Sequence, residues 1–369
     1  MVKFNIERNT SLGRIGKLDK WGHAEVSHST PSFMTYLRSG HIPHLTWDVA
    51  SNYFHPCQKP IYQLTSPSLL NNLNIVKKTG RGVSFFCGIP AGSAVHLTVL
   101  DPLGKMPGGF NDKHSVAVWT KTGKVSLTVD KWKEVIETFD CSSFDTMADY
   151  DSPKEAGLKK QLKAVERTKG FCDKFFDLEV QGFPITTIIG GFNKGYRRKC
   201  CVEIGSQKMS YGYNIELNEY VDGCDVQLNE LQEVLEEMFS TLNPTKIRCV
   251  AGPFNPRMVL WLAKSGIDMF DSSFAIKLAD EGKGFCLADD YESSGGYSTI
   301  YFGDEKLSTQ FSTPFEHCQC YTCVNYTKGY LQHLYNTKEL LASILLVIHN
   351  LTAYDTMFSR IRRMLHEVS

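Results

Sequence analysis

Near its C-terminus the chain reads Cys318-Gln319-Cys320-Tyr321-Thr322-Cys323, and a leucine-rich stretch beginning near Lys338 then delivers His349. Three thiols on one short knuckle and an imidazole from a helix fill the four vertices of a tetrahedral zinc site, with no vertex left for water. Such a closed site holds structure and does no chemistry. The pattern predicts one structural Zn2+ bound by Cys318, Cys320, Cys323 and His349, and it requires the segment carrying His349 to fold back onto the knuckle.

The remainder must supply the body on which the knuckle rests. At 369 residues the chain exceeds the usual single domain, yet a (β/α)8 barrel with a small satellite fits without a second large domain. Its 42% hydrophobic residues, 22 Phe and 16 Tyr exclude a disordered polymer. No apolar run is read as approaching a membrane span, and the segment from Met1 to Glu7 has neither a signal core nor an acid-free, Arg-rich presequence. Of the 12 cysteines, nine lie outside the knuckle, scattered from Cys57 to Cys286 apart from Cys200-Cys201, and read as reduced core residues. A soluble cytoplasmic protein is the expectation. Formal net charge is zero, so nucleic acid must be held by a local basic patch or a basic partner.

Through the middle of the chain apolar runs alternate with amphipathic ones at about 25 to 30 residues, the beat of βα units. Strands are predicted at Ile185–Phe192, Gly212–Leu217, Ile247–Ala251 and Ile267–Phe270, and helices at Gly195–Gln207, Val226–Phe239 and Asn255–Lys264. Right-handed crossovers between them give a parallel sheet, open or closed. Earlier, Val116–Trp119 and Val125–Val129 flank a turn and read as a hairpin inserted before a helix at Lys131–Phe139. Asp140–Gly157 is acidic and polar, a predicted exposed loop. After the knuckle a helix over Thr327–Tyr335, the stretch Lys338–Asn350 and a separate last amphipathic helix are expected. Arg360, Arg362 and Arg363 lie opposite its apolar face, as a solvated face or a contact for phosphate or anionic lipid.

The βα-rich chain, Gly266-Ile267-Asp268-Met269-Phe270-Asp271 at a strand end, and the Cys-x-Cys-x-x-Cys with its distant histidine together resemble the tRNA-guanine transglycosylase family. The resemblance runs from about Thr30 to the C-terminus and is strongest over Gly266–Asp271 and Phe315–His349, including Gly329-Tyr330-Leu331-Gln332-His333-Leu334. It implies an α/β fold, a (β/α)8 TIM barrel followed by a zinc-binding helical subdomain, in enzymes that exchange guanine at the tRNA wobble position for queuine or a precursor. On this reading residues 1–310 form the barrel with its N-terminal strands and inserted hairpin, and residues 311–369 the zinc-binding subdomain with the C-terminal helices.

In catalytic members the last Asp of Asp-Met-Phe-Asp attacks the ribose C1′ as a carboxylate nucleophile, and Asp271 stands at that position. Without the resemblance it would read as a loop or cap residue. Where the family continues Cys-Val-x-Pro-Thr-Arg-x-x-Arg-x-Gly, this chain runs Ser272 to Gly282 and puts Asp280 in place of a tRNA-facing arginine. Beside a phosphate that exchange turns attraction into a repulsion of about a few kcal/mol at an effective dielectric near 20. The family's acid/base aspartate in Asp-Ser-Gly-Gly-Phe-Gln falls on Met106 of Met106-Pro107-Gly108-Gly109-Phe110-Asn111, and methionine cannot move a proton. The Gly-Gly-Leu of the guanine pocket falls in Tyr213–Leu217, where Glu216 and Leu217 bring side chains into space the base needs. Asp149 and Asp151 are the candidates for the guanine-reading aspartate, but both read as parts of the solvated acidic loop.

A drifted pocket beside an intact knuckle is the pattern of the family's noncatalytic subunit. The resemblance then implies no catalytic residue here, Asp271 being retained but idle. It implies a heterodimer with a catalytic queuine tRNA-ribosyltransferase subunit, joined through the zinc region, acting on position 34 of tRNAs with GUN anticodons, those for Asp, Asn, His and Tyr. Peripheral contact with the mitochondrial outer membrane also comes with the resemblance. Two other readings stay open: a catalytic transglycosylase with Asp271 as nucleophile, against which Met106 weighs, and a zinc-organised RNA-binding or scaffold protein with no part in base exchange.

Overall fold

Short strands buried on both faces need cover on both, and a sheet closed on itself with helices outside provides it. The computed structural model describes residues 2–10, 12–153, 156–207, 209–220 and 228–367. An antiparallel sheet comes first, β1 (Lys3–Thr10), β2 (Gly13–Trp21) and β3 (Ala24–Thr30). Then come β4 (Ser32–Leu37), β5 (Ile61–Thr65) and β6 (Ala94–Thr98), the hairpin β7 (Ser115–Thr120) with β8 (Gly123–Thr128), and β9 (Ser143–Asp145), β10 (Pro184–Ile188), β11 (Gly212–Ile215), β12 (Ile247–Cys249) and β13 (Met269–Asp271). Apart from the hairpin these form a closed barrel in the order β4-β5-β6-β9-β10-β11-β12-β13, and β13 returns to β4 through Met269↔Ser32, Phe270↔Phe33 and Asp271↔Met34. All eight ladders are parallel, so the fold is the (β/α)8 TIM barrel. A second hairpin, β14 (Lys283–Leu287) and β15 (Tyr297–Tyr301), leads to short helices at Tyr321–Asn325 and Lys328–Asn336 and to a terminal helix, Leu340–Glu367.

The four strands expected from periodicity are β10 to β13, each shorter than its apolar run, and the predicted hairpin is β7–β8. Of the helix expected from Val226, Val226 itself lies outside the described residues, and the helix is described over Leu228–Thr241. Two expectations are corrected. Asp140–Gly157 is not an exposed loop: it contains β9, and residues 143–149 are all buried. Polarity misled because Ser143 and Asp145 face the barrel interior, where Ser143 meets His96 Nδ1 at 2.7 Å and Asp145 accepts from Asn214 Nδ2 at 2.8 Å. The C-terminal segment is likewise one unbroken helix of 28 residues. The expected break after Asn350 does not occur: Thr352 Oγ1 bonds back to the Ile348 carbonyl at 2.8 Å, inside the helix. By length and composition this helix could cross a membrane, a run the sequence did not suggest; its apolar face, however, packs on the helix Ser273–Asp280 and on β14.

Side chains alternate along a strand, so every second residue points into the barrel. The lowest interior layer is dry: Met34, Ile61, Ala94, Ile185, Ile247 and Met269 pack against Leu18 and Trp21 of β2 and Val26 of β3, which close that end. Two residues further up, the layer turns polar with Gln63, His96, Asp145 and Asn214. The N-terminal sheet is locked on by a buried ion pair between Arg14 and Asp268. The same guanidinium donates to the carbonyls of Pro244 at 2.7 Å and Lys246 at 2.9 Å, while Asp268 also accepts from the Arg248 amide at 2.7 Å. Burial pushes the Asp268 carboxyl upward and the Arg14 charge pulls it back. Asp268→Ala strands a buried guanidinium and should destabilise the fold by about 3 to 5 kcal/mol. Urea unfolding reads this directly, and a loss below about 1 kcal/mol would show that the pair holds nothing.

Candidate functional site

Two sites lie at the C-terminal end of the barrel. In the first, the four donor atoms of Cys318, Cys320, Cys323 and His349 lie within 4.8 Å of one another, with His349 Nδ1 at 3.6, 3.6 and 3.4 Å from the three sulfurs in chain order. His349 is oriented from behind. Its Nε2 lies 2.9 Å from the Phe285 carbonyl, which can only accept, so Nε2 carries a proton and Nδ1 is the nitrogen that faces the sulfurs. Phe315 stacks on the imidazole at 4.0 Å, and Gly284 lets β14 come this close, since a Cβ there would meet the Phe315 ring at 2.7 Å. Hydrogen bonds from Cys320 and Cys323 hold the Cys318 thiol far below its ordinary range. Burial lowers the His349 pKa, but the sulfurs of Cys318 and Cys320 outweigh it and push it up to about 9. Such a group can hold a metal ion.

The second site is the barrel mouth. Asp271 ends β13 and is 1% exposed. Its carboxylate accepts from the amides of Ser273 at 3.0 Å and Gly252 at 3.1 Å and from Ser273 Oγ at 2.6 Å. Burial nevertheless dominates: these bonds pull the pKa down, the charge of nearby Asp101 adds to the rise, and the net value is about 7. Asp101 lies three residues beyond the end of β6 and accepts from Tyr36 Oη at 2.7 Å and the Leu103 amide at 2.9 Å. The strand-end carboxylate beside Asp271 is therefore Asp101, a residue the sequence comparison passed over by counting back from Gly108-Gly109 to Met106. The signal was present, because Asp101 closes the apolar run from Ala94 to Leu100. Met106 lies on the rim of a cleft of about 420 Å³ with Arg38, Leu103, Asn218, Lys277 and Asp280. Asp280 is tied to Arg38 at 3.3 Å and to His44 at 2.7 Å, and these partners hold its carboxyl below the usual value despite partial burial.

Asp149 and Asp151 are not solvated. Asp149 is 1% exposed and accepts from Arg167 at 2.9 Å and Asn111 Nδ2 at 2.7 Å. Asp151 accepts from Lys160 at 2.8 Å and the Gly109 amide at 2.6 Å. The loop 106–111 is thus fastened to the very carboxylates considered for reading a base. Glu216 and Leu217 are buried, and Glu216 accepts from the Asn218 amide at 2.6 Å. The terminal-helix arginines do not form a free basic face either. Arg360 pairs with Glu292 and donates to the Ala288 and Asp289 carbonyls, and Arg362 donates to the Pro31 carbonyl, which leaves Arg363 exposed.

Beside the Cys3His group, rings form a row: Tyr53 on Tyr321 at 4.1 Å, Tyr321 to Tyr326 at 5.8 Å, Tyr326 on Tyr330 at 5.7 Å and Tyr330 to His333 at 6.3 Å. Tyr53 and Tyr330 are 38% and 43% exposed and Val324 on the knuckle helix is 61% exposed, so this flank carries uncovered apolar surface.

Closed parallel barrel, carboxylate-lined mouth and Cys3His cluster define a (β/α)8 protein with a C-terminal region able to hold a metal ion. Residues 9–368 match the family described as queuine tRNA-ribosyltransferase, and the chain belongs to that family. A relative from Caenorhabditis elegans named queuine tRNA-ribosyltransferase accessory subunit 2 is 56% identical over 364 residues, 98% of each chain. Proteins of the same name from Drosophila yakuba and Ixodes scapularis are 30% and 27% identical, covering 98% and 95% of this chain and 88% and 93% of their own.

A buried Asp271 with a pKa near 7 has a consequence for stability. Between the unfolded value near 3.8 and about 7 the native state binds the extra proton, so stability falls as pH rises through that window. The full effect is on the order of 4 kcal/mol. Urea midpoints measured from pH 4 to 8 should fall less steeply in Asp271→Asn than in the parent; equal slopes would mean that Asp271 titrates normally.

Proposed function

We propose that this chain is the noncatalytic subunit of a heterodimeric queuine tRNA-ribosyltransferase, supporting exchange of guanine for queuine at position 34 of tRNAs with GUN anticodons. The observation that carries the reading is the engagement of Asp149 by Arg167 and Asn111: a carboxylate already bonded to a guanidinium and an amide has little capacity left to read a base. Buried Glu216 and Leu217, and Asp280 on the cleft rim, point the same way. The accessory-subunit names of the relatives support the assignment. One observation favours the catalytic alternative, the Asp101 carboxylate beside Asp271, which supplies the proton-transfer group that Met106 cannot.

Pairing with the catalytic subunit uses the flank of the Cys3His group, where the row from Tyr53 to His333 offers rigid aromatic surface of the kind that anchors interfaces. Chain alone, catalytic subunit alone and the mixture should be compared for association and for incorporation of labelled queuine into tRNA. Association with activity only in the mixture is expected, and Tyr330→Ala should weaken association by about 2 kcal/mol. Two subunits that fail to associate would sink the assignment; robust turnover by this chain alone, abolished by Asp271→Asn, would establish the catalytic reading instead.

The metal we assign to the cluster is one structural zinc. Sulfur at ~2.3 Å and nitrogen at ~2.0 Å from a tetrahedral centre stand about 3.5 Å apart, in keeping with the separations here. When bound it supplies cross-linking between knuckle and terminal helix. Metal analysis of the purified chain should give one zinc, lost in Cys320→Ser, with the barrel still folded and protease sensitivity confined to residues beyond 310. Full retention of metal by that variant would overturn the ligand set. The 11 described cysteines are all free, which supports the cytoplasm as its compartment.

A further inference from the structure

We infer that the hairpin β7–β8, with the loop leading into it, is a contact surface for the tRNA backbone with a stacking position at Phe110. The inference rests on the tRNA reading above and names where on this chain the RNA lies.

Between Pro102 and Thr128 the sequence carries Lys105, Lys113, Lys121, Lys124 and His114 against one acid, Asp112. All of them are exposed, and none of the four lysines meets a carboxylate of any described residue. Many cations elsewhere are paired: Lys77 and Lys131 converge on Glu134, Lys174 on Asp130, Lys160 on Asp151, Arg360 on Glu292. Asp112 stays charged, its carboxylate accepting from the amides of His114 and Ser115 at 2.7 and 2.8 Å, but one acid offsets only one of the four lysines.

The cations are spread along a rigid ridge. Lys121 is at the hairpin tip, Trp119 faces Lys124 across the ladder, and Lys113 and His114 precede the other end of β7. Six residues of strand separate those ends by about 20 Å. Phe110, 47% exposed, packs edge-on against Trp119 at 5.4 Å, with Lys124 Nζ 4.8 Å from its ring centre. A row of cations interleaved with an exposed, immobilised ring suits a polynucleotide, whose phosphates follow the lysines while a base meets the ring. Asn111 holds the ridge to the barrel through Asp149 on one side and the Ala117 amide, at 2.8 Å, on the other. Met106 of the same loop borders the cleft, so RNA on the ridge is led to the mouth.

The test is tRNA affinity of the reconstituted two-subunit complex at several salt concentrations. Joint replacement Lys105→Ala, Lys113→Ala, Lys121→Ala and Lys124→Ala should weaken binding tenfold or more near 0.1 M salt and reduce the slope of log affinity against log salt by about 2 to 3. Phe110→Ala should weaken binding by roughly tenfold with little change of slope. Subunit association, measured alongside, should be unaltered because these side chains lie outside the aromatic flank of the Cys3His group assigned to pairing. If the parent mixture binds tRNA no better than the catalytic subunit alone, the subunit reading fails and this inference with it. If the parent mixture binds well and the fourfold variant matches it in affinity and slope, the inference alone is overturned. Loss of binding to phosphatidylserine vesicles in that variant, with tRNA affinity intact, would overturn it in favour of a membrane surface.

Discussion

The Asn350 side chain reaches three backbone groups on two different elements: it donates to the carbonyls of Ala275 and Lys283 and accepts from the Phe285 amide. It is fully buried. Sliding the terminal helix by one residue would rotate it about 100° and break all three bonds, leaving the buried amide side chain unpartnered at about 1 to 3 kcal/mol. That register places His349 in the thiol cluster and, five residues on, Tyr354 against the Asp271 carbonyl at 2.8 Å. Cluster and barrel mouth are therefore two stations on one rod, about 7.5 Å apart along its axis.

Around the mouth, the deciding contest is between desolvation and pairing. Asp149 and Asp280 each have a cationic partner, and Asp268 has one at the opposite end of the barrel. Asp271 has three neutral donors and an anionic neighbour, and there burial wins. A neutral chain with its charges paired this way has local fields only where pairing lapses. The hairpin ridge is such a place; Arg360 and Arg362, held by Glu292 and by backbone carbonyls, are not.

The knuckle and its histidine were legible because ligand chemistry demands particular atoms at short spacing. So were β10 to β13 and β7–β8, whose patterns rest on apolar side chains. What escaped the sequence was polar structure facing inward. Ser143 and Asp145 look like loop residues until a barrel surrounds them, and Asn350 looks like the end of a segment until its partners Ala275, Lys283 and Phe285 are known. Asp101 was missed for a related reason: a loop separates it from the glycines used to count, and only the folded barrel shows that it stands beside Asp271. The arginines erred the other way, since periodicity gives the face a residue occupies and not the neighbour waiting there.

Trp21, packed with Leu18 and Val26 beneath the dry layer, makes the barrel a vessel with a floor. The cleft bordered by Met106 and Asp280 lies away from that floor. On the proposed reading, whatever enters the cleft must enter and leave past its rim, so its residence would be set by how firmly RNA or a partner covers that rim and hardly at all by the barrel beneath.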